Sequence, residues 1–301
     1  MARRFYTLDV FTDRALAGNP LAVVLDAEGL DTTAMQAIAR EFNLSETVFV
    51  MAPDRPENRA RIRIFTPGLE MPFAGHPTVG TAVLLATLDH REGTHDLVFG
   101  LEENIGVVPC AVSLAENGAS FARFSVPRLP FERPLAASPA ALAAALGLEE
   151  SDIGCAPFRP GIFGTGAPFT FVPVKNRAVM KRIRINTALW GATFGQEGLG
   201  AAFVFSLDPE NPSHQFRARM FSPGDGIPED PATGSAASAL AGAILRDNPP
   251  ADGTHEVVIE QGFEMGRPSL IELTLIVKDG KLHGSHIGGK AVIVSRGELY
   301  V

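Results

Sequence analysis

Two stretches of the chain, 156 residues apart, have nearly the same sequence. Arg61-Ile-Arg-Ile-Phe-Thr-Pro-Gly68 and Arg217-Ala-Arg-Met-Phe-Ser-Pro-Gly224 share five of their eight residues, and Pro72 matches Pro228 at the same spacing. A match between such distant segments indicates an internal duplication, and its period is far too long for a solenoid repeat. The sequence therefore predicts two homologous lobes of roughly 150 residues each.

Two more blocks repeat in the same order. His76-Pro-Thr-Val-Gly-Thr-Ala82 aligns with Asp230-Pro-Ala-Thr-Gly-Ser-Ala236 at an offset of 154. Gly18-Asn-Pro-Leu-Ala-Val-Val24 aligns with Gly166-Ala-Pro-Phe-Thr-Phe-Val172 at an offset of 148. The alternative is a coincidence of common turn tripeptides, but three matches in one order favour duplication.

Each predicted lobe mixes strands and helices. Apolar or alternating runs bounded by turn residues predict strands over residues 21–25, 47–50, 61–65, 257–259, 270–277 and 290–294. Apolar spacing and capping residues predict helices over residues 31–43, 79–88, 138–147 and 232–245. Because many strands follow one another without a crossover helix, the class is α+β and the pairing mostly antiparallel. Residues 127–134 are the predicted linker, and Gly288-Gly289 the predicted tight turn between strands.

Composition excludes several classes of protein. Lys and Arg number 26 against 34 Asp and Glu, a net charge of −8, which argues against nucleic-acid binding and adherence to anionic membranes. The two cysteines, Cys110 and Cys155, form no disulfide framework and fit a reducing compartment. No signal-peptide run and no apolar stretch of about 18 residues occurs, so we expect a cytoplasmic protein without membrane contact.

The sequence lacks the recognised motifs for a bound metal, a nucleotide or a serine nucleophile. His283 and His286 have no Cys or carboxylate at ligand spacing, so no metal site is predicted. No P-loop and no G-x-G-x-x-G fingerprint appears, so nucleotide binding is unsupported. Ser45 and Ser235 lack a nearby His in a recognised nucleophile elbow, which disfavours a serine hydrolase.

The repeated turns are the strongest candidates for a binding site. Residues 73–80 and 229–236 each run from a strand through a Pro/Gly turn into the start of a predicted buried helix. The N-terminus of a helix offers unpaired N–H groups and a positive dipole end to an anion. If both helix starts point into one cleft, that cleft suits a small anionic molecule. Simple helix capping is the alternative, and the duplication favours function.

The repeats differ at positions that carry proton chemistry. His76 aligns with Asp230, and Glu46 aligns with Ala202 at an offset of 156. One lobe thus offers an imidazole where the other has a carboxylate, and Glu46 has no acidic counterpart. Such asymmetry suits general acid/base work on a substrate bound in one orientation. The alternative for Glu46 is a surface carboxylate at a strand end, while Glu229 is either a helix-cap charge or a catalyst.

Taken together, the motifs resemble the phenazine-biosynthesis PhzF-like isomerase family. The resemblance covers essentially the whole chain and rests on residues 18–20, 43–47, 65–67, 73–78, 229–235 and 288–297. It implies the diaminopimelate-epimerase fold, in which two pseudosymmetric lobes each wrap a mostly antiparallel sheet around a central helix, with the active site between them. The implied lobes are 1–126, joined by the last strand 287–301, and 127–286.

The resemblance also implies an activity and a site. The family's namesake isomerises trans-2,3-dihydro-3-hydroxyanthranilate without a cofactor, and its proton-moving glutamate matches Glu46. The histidine and aspartate of its cleft match His76 and Asp230, and a homodimer is implied. The candidate substrate-binding residues are Asn19, Ser45, Gly75, Thr233, Gly234 and Ser235. Among these, Gly75, Gly234 and Ser235 match groups that hold the substrate carboxylate.

Other activities remain open at this point. Related epimerases and racemases use two cysteines, but the corresponding blocks here carry Ala74, and Pro231 or Ala232, which disfavours a two-base racemase. A lyase or dehydratase could use the same proton-abstracting carboxylate. A small-anion binding protein could keep the cleft without turnover. The leading hypothesis is a cofactor-independent isomerase of a small cyclic amino or hydroxy acid.

Overall fold

The computed structural model describes residues 2–90, 93–116, 118–195 and 200–301. Contacts divide the chain into a first unit, Met1–Ser125 with Gly288–Val301, and a second unit, Val126–Ile287. The predicted lobe boundaries lie one residue from these divisions. Within the part that the structure describes, no helix combines the length and apolar character needed to cross a membrane.

The described residues of the first unit form two helices and eight strands, together with the end of a ninth strand. The helices are α1 (Thr32–Phe42) and α2 (Gly75–Asp89). The strands are β1 (Ala2–Val10), β2 (Asn19–Val24), β3 (Glu46–Met51), β4 (Ala60–Phe65), β5 (Glu70–Met71), β6 (His95–Glu103), β7 (Gly106–Leu114) and β8 (Ser120–Ser125). The last strand, β17 (Lys281–Tyr300), pairs antiparallel with β1.

The capping signals of the first predicted helix are confirmed. Asp31 Oδ1 accepts a hydrogen bond from the Ala34 N–H at 2.8 Å, and Asn43 ends α1 in the left-handed conformation. These contacts satisfy backbone groups that a helix end leaves unpaired. The buried side of α1 contributes Met35 and Ile38 to an apolar cluster, so the helix is fixed against the sheet.

Helix α2 is the central helix of the first unit and is buried from Gly75 to Ala86. It packs against β1, β2, β3, β6, β7 and β8. A Cβ at Gly80 would lie 2.6 Å from Leu21 Cδ2 and 2.7 Å from Val10 Cγ2, well inside the usual carbon contact of about 3.5–4.0 Å. Glycine at this position therefore lets α2 approach β1 and β2 closely.

The second unit repeats this plan. Its strands are β9 (Phe131–Arg133), β10 (Gly161–Gly164), β11 (Pro168–Pro173), β12 (Ala202–Ser206), β13 (Phe216–Ser222), β14 (Ile227–Asp230), β15 (Gly253–Gln261) and β16 (Ser269–Lys278). Its helices are α3 (Pro139–Leu146), α4 (Arg177–Arg182), α5 (Thr187–Phe194) and α6 (Gly234–Asp247). The central helix here is α6, which packs against β9, β10, β11 and β16.

Strand pairing shows the duplication directly. In the first unit β2 and β3 are parallel, β3 and β4 antiparallel, and β4 and β6 parallel; β11, β12, β13 and β15 repeat this order. Arg61 lies beside Glu102 in the register of the first unit, as Arg217 lies beside Glu260 in that of the second. The predicted α+β fold with two pseudosymmetric lobes and mostly antiparallel pairing is confirmed.

Three local predictions differ from the structure. Gly288-Gly289 lies inside the continuous strand β17, so the predicted tight turn is wrong. Residues 131–133 of the predicted linker form β9, which pairs antiparallel with β10 and satisfies its backbone groups there. The helix predicted to have Pro77 or Thr78 in its first turn is α2, which begins slightly earlier, at Gly75, after the extended residue Ala74. His76 therefore lies in the first turn.

Candidate active site

Glu46 and His76 meet inside the first unit. Glu46 is the first residue of β3, which runs parallel to β2 with Leu21 opposite Glu46. His76 is the second residue of α2, and the close packing at Gly80 holds this helix against β2. The imidazole Nε2 of His76 lies 3.1 Å from Oε2 of Glu46, and the side chains are only 5% and 14% exposed. The alternative of Glu46 as an exposed surface carboxylate is thus wrong.

The imidazole of His76 is neutral. Burial lowers its pKa to about 3, although a hydrogen bond to the backbone of Pro20 acts in the opposite direction. Proline has no backbone N–H, so the partner is the Pro20 carbonyl and the imidazole is the donor. A neutral imidazole carries one N–H, and Nε2 faces Glu46, so this N–H is at Nδ1.

The tautomer of His76 determines whether its imidazole presents an N–H group or a lone pair to Glu46. With the proton of His76 at Nδ1, Nε2 presents a lone pair to Oε2 of Glu46. The two atoms are buried and 3.1 Å apart, a separation across which a single proton can be held. Glu46 and His76 therefore form a buried carboxyl–imidazole pair, and both side chains are of types that exchange protons.

The other predicted residues of the first unit adjoin this pair along the chain. Asn19 is fully buried and directly precedes Pro20, whose carbonyl holds the imidazole. Ser45 is half-buried beside Glu46, and Gly75 is buried beside His76. Three separate motifs thus contribute to one region of the first unit, which periodicity alone did not show.

In the second unit, Asp230 is held by the turn that follows it. Asp230 ends β14 and is 8% exposed. The Thr233 hydroxyl donates to Asp230 Oδ2 at 2.5 Å. Gly234 and Ser235 begin α6, where Gly234 is buried and Ser235 half-buried. The three predicted residues after Asp230 are therefore the turn and the helix start that fix its position.

Sequence reasoning missed Gln261, which supports the same turn. Its amide is fully buried at the end of β15. Nε2 donates to the Asp230 carbonyl at 2.8 Å and to Thr233 Oγ1 at 2.9 Å, and Oε1 accepts from the Thr233 N–H at 3.1 Å. No local motif marks Gln261, and only the pairing of β15 with β13 brings it to the turn.

Glu229 forms an ion pair with a neighbouring strand. It lies in β14, and its carboxylate accepts two hydrogen bonds from the guanidinium of Arg219, both at 2.7 Å. A bidentate pair of this kind uses both oxygens of the carboxylate. Glu229 is therefore a structural ion-pair partner and not a helix-cap charge.

Both cysteines lie outside the repeated turns. Cys110 is buried in β7 and Cys155 half-buried, and neither lies at Ala74 or in the Asp230 turn. In the described ranges, no group of three or more His, Cys, Asp or Glu side chains is arranged to hold a metal ion.

Comparison with known proteins identifies the family. Residues 8–297 match the family model described as phenazine biosynthesis-like protein. The chain is 50% identical to an uncharacterized isomerase of Mesorhizobium japonicum and 34% identical to the trans-2,3-dihydro-3-hydroxyanthranilate isomerase of Pseudomonas aeruginosa, each over 99% of both chains.

Similar solved structures support the same family assignment. A phenazine biosynthesis protein of the PhzF family from Bacillus anthracis superposes with a TM-score of 0.88 at 28% identity, over 100% of both chains. A hydroxyproline epimerase from Agrobacterium vitis shares the fold, with a TM-score of 0.67 at 12% identity over 99% of this chain and 91% of that one. The chain therefore belongs to the phenazine biosynthesis-like PhzF family and is an isomerase related to trans-2,3-dihydro-3-hydroxyanthranilate isomerase.

Proposed function

We propose that this isomerase moves a proton between two carbons of a small cyclic amino or hydroxy acid similar to trans-2,3-dihydro-3-hydroxyanthranilate. The observation that carries the proposal is the buried contact of 3.1 Å between Glu46 and His76. General acid/base catalysis needs a group that can give and take a proton within hydrogen-bond reach of the reacting atom. The carboxyl group of Glu46, supported by the imidazole of His76, would meet that need.

Glu46 is the proton carrier in this proposal. As an acid it donates its proton to one ring carbon, and as a carboxylate it removes a proton from another. His76 accepts the hydrogen bond of the acid form through Nε2, while Pro20 keeps the imidazole in that orientation. The step transfers only protons, so it needs no electron acceptor, and we propose that the reaction is cofactor-independent.

We propose that the substrate is held by both repeated turns, in a cleft between the lobes. The starts of α2 and α6 would bind its carboxylate through Gly75, Gly234 and Ser235, because N–H groups at a helix start attract anions. Asp230, fixed by Thr233, would orient the substrate amine or hydroxyl. The duplicated turn and the relatives that are isomerases support this arrangement.

Two expectations of the resemblance stay predictions. A homodimer is tested by light scattering on the purified protein, and a cytoplasmic location by fractionation of the source cells. A small anion is the partner that we propose for the site.

The experiment is a proton-exchange assay by NMR in deuterated buffer. The wild type, Glu46→Gln and Glu41→Gln are incubated with the dihydro-hydroxyanthranilate and a panel of small cyclic amino acids. Glu41 is an exposed residue of α1, so Glu41→Gln is matched in chemistry and lies on the surface. We expect deuterium at a substrate carbon with the wild type and Glu41→Gln, and a loss of roughly a hundredfold or more with Glu46→Gln.

Product mass separates the competing reactions. An isomerase conserves the mass of the substrate apart from the exchanged deuterium, whereas a dehydratase loses one water. Full exchange by Glu46→Gln would contradict the role of Glu46. Binding without exchange across the panel would contradict the proposed substrate class.

A further inference from the structure

Glu103 and Gln261 occupy equivalent places in the two units. They directly follow Glu102 and Glu260, which strand register places beside the first arginines of the repeated octapeptide. Gln261 has a clear task in its unit, since its amide holds the turn that presents Asp230. The equivalent position in the first unit carries a carboxyl group and faces the turn that presents His76.

The contacts of Glu103 define its protonation state. Its Oε1 lies 2.7 Å from the hydroxyl oxygen of Thr78, which also lies 2.7 Å from the carbonyl oxygen of Ala74. A hydroxyl has one proton, and a carbonyl can only accept. Both contacts are hydrogen bonds only if Thr78 donates to Ala74 and Glu103 donates to Thr78, which requires a protonated Glu103.

The surroundings of Glu103 favour this neutral form. Burial raises its pKa to about 8, although the hydrogen bond with Thr78 opposes the shift. The thiol of Cys110 on β7 is an ionisable group that interacts electrostatically with Glu103. Burial is the larger cause of the raised pKa of Cys110, and a charge on Glu103 raises this pKa further. Glu102 on its own strand points to the N–H groups of residues 54 and 55, and Arg61 on β4 pairs with the side chain of residue 54. On α2, the imidazole of His76 is neutral.

The neutral form is similar in shape to glutamine and, like glutamine, combines a donor with an acceptor, although an amide has two N–H donors and an acid one O–H donor. A carboxylic acid offers one donor and one acceptor, and so does the amide of Gln261 toward Thr233. The duplication thus keeps a neutral donor behind each turn, as an amide in one unit and as an acid in the other. Only the acid can lose its donor when the pH rises.

We propose that Glu103 is a positioning residue for His76. This proposal rests on the proposed function in one respect, namely that His76 acts in the active site. As a neutral acid it donates to Thr78, whose hydroxyl donates to the Ala74 carbonyl at the start of α2. Loss of the Glu103 proton in alkaline solution removes the donor and leaves a buried charge. The turn then loses its support, and activity falls.

The test compares Glu103→Gln, which keeps a donor at every pH, with Glu103→Leu, which has none. Glu102→Gln is the matched control on the same strand, since its carboxylate is held instead by hydrogen bonds from Asp54, Arg55 and Asn58. Two readouts are followed from pH 6 to pH 10: kcat and KM on the converted substrate, and the backbone amide NMR signals of residues 75–78. The NMR readout needs no substrate.

For the wild type and Glu102→Gln we expect kcat to fall and the amide signals to shift with a midpoint near pH 8, as the Glu103 proton is lost. Glu103→Gln keeps most of kcat at pH 7 and shows neither transition. Glu103→Leu lowers kcat about ten- to a hundredfold at pH 7 with little change in KM, because the catalytic turn is misplaced.

The two proposals fail in distinguishable ways. If the wild type converts no substrate, the amide transition alone decides the role of Glu103. If the wild type is active but Glu103→Gln shows the same alkaline transitions, the proposal for Glu103 is wrong and the proposed function stands. An unchanged kcat in Glu103→Leu would also overturn it.

Discussion

The carbonyl of Pro20 accepts a hydrogen bond from the imidazole of His76 and so ties strand β2 to the first turn of α2. This bond fixes the tautomer, because it takes the only N–H of a neutral imidazole. The lone pair at Nε2 is thereby directed at Glu46, 3.1 Å away. One backbone carbonyl thus fixes the orientation and the tautomer of the imidazole beside Glu46.

The first prediction concerns the charge of His76. Because burial lowers its pKa to about 3, we expect its imidazole to stay neutral from pH 5 to pH 8, with the N–H at Nδ1. The measurement is 15N NMR of the histidine side chains, with the urea-unfolded protein as control, in which histidines titrate near about 6.5. A transition of His76 near pH 6 in the folded protein would contradict this prediction.

The same shift has a consequence for stability. Between about pH 3 and pH 6.5 the unfolded chain binds a proton at His76 that the folded chain does not bind. The free energy of unfolding should therefore fall as the pH is lowered through this window, and His76→Asn should reduce the slope. Urea unfolding at several pH values measures both.

The second prediction concerns Gly80. The Cβ of Gly80→Ala would lie 2.6 Å from Leu21 and 2.7 Å from Val10, so α2 must move away from the strands. We expect a loss of about 1–3 kcal/mol in the free energy of unfolding and a lower kcat, since His76 moves with the helix.

A matched control for Gly80 lies in α5. Gly191 is also helical, but among the described residues outside its own helix backbone no atom lies within 4 Å of an added Cβ. Gly191→Ala should be neutral or stabilising by up to about 1 kcal/mol. Equal effects of the two substitutions in urea unfolding would show that close packing at Gly80 is unimportant.

The third prediction concerns the buried ion pair of Arg217 and Glu260. The guanidinium Nη1 lies 3.0 Å from Glu260 Oε2, and the side chains are 3% and 1% exposed. Arg217→Ala leaves a buried carboxylate with fewer partners and should cost about 3–5 kcal/mol. Glu210→Ala, at an exposed pair of the same unit, should cost less than about 1 kcal/mol.

The readout for the second unit is the fluorescence of Trp190, the single tryptophan, which is buried against Phe194.

Burial alone would raise the pKa of Glu260, but hydrogen bonds from two backbone N–H groups, His214 and Arg217 outweigh it and lower that pKa. Its stabilisation is therefore present above about pH 4.5 and lost as the pH falls below this value. A midpoint in urea unchanged by Arg217→Ala would contradict the third prediction.

The fourth prediction concerns the two thiols. Burial raises the pKa of Cys155 to about 11 and also raises that of Cys110, so neither is a thiolate near neutral pH. Because neither lies in the repeated turns, iodoacetamide at pH 7.5 should leave the activity unchanged and modify both only after unfolding. Mass spectrometry counts the labels, and loss of activity in step with labelling would indicate a thiol mechanism.

The sequence alone determined the duplication, the fold class and the family. Identical residues at a constant spacing can be recognised from the sequence alone. The octapeptides that begin at Arg61 and Arg217 therefore show the repeat without coordinates. Capping is equally local, since Asp31 and Asn43 mark both ends of α1 through contacts with their own helix. The predicted turn at Gly288-Gly289 failed because nothing local distinguishes a glycine pair in a turn from one in a long strand.

Only the tertiary structure decided the state of the site. Glu46 and His76 are named by motif, but their contact depends on the parallel pairing of β2 with β3 and on the packing of α2 over β2. The neutral imidazole follows from burial and from the Pro20 carbonyl, and both belong to the fold and not to a motif. Gln261 and Glu103 were invisible in the sequence for the same reason, because parallel strands that are distant in the chain bring them to the turns they hold.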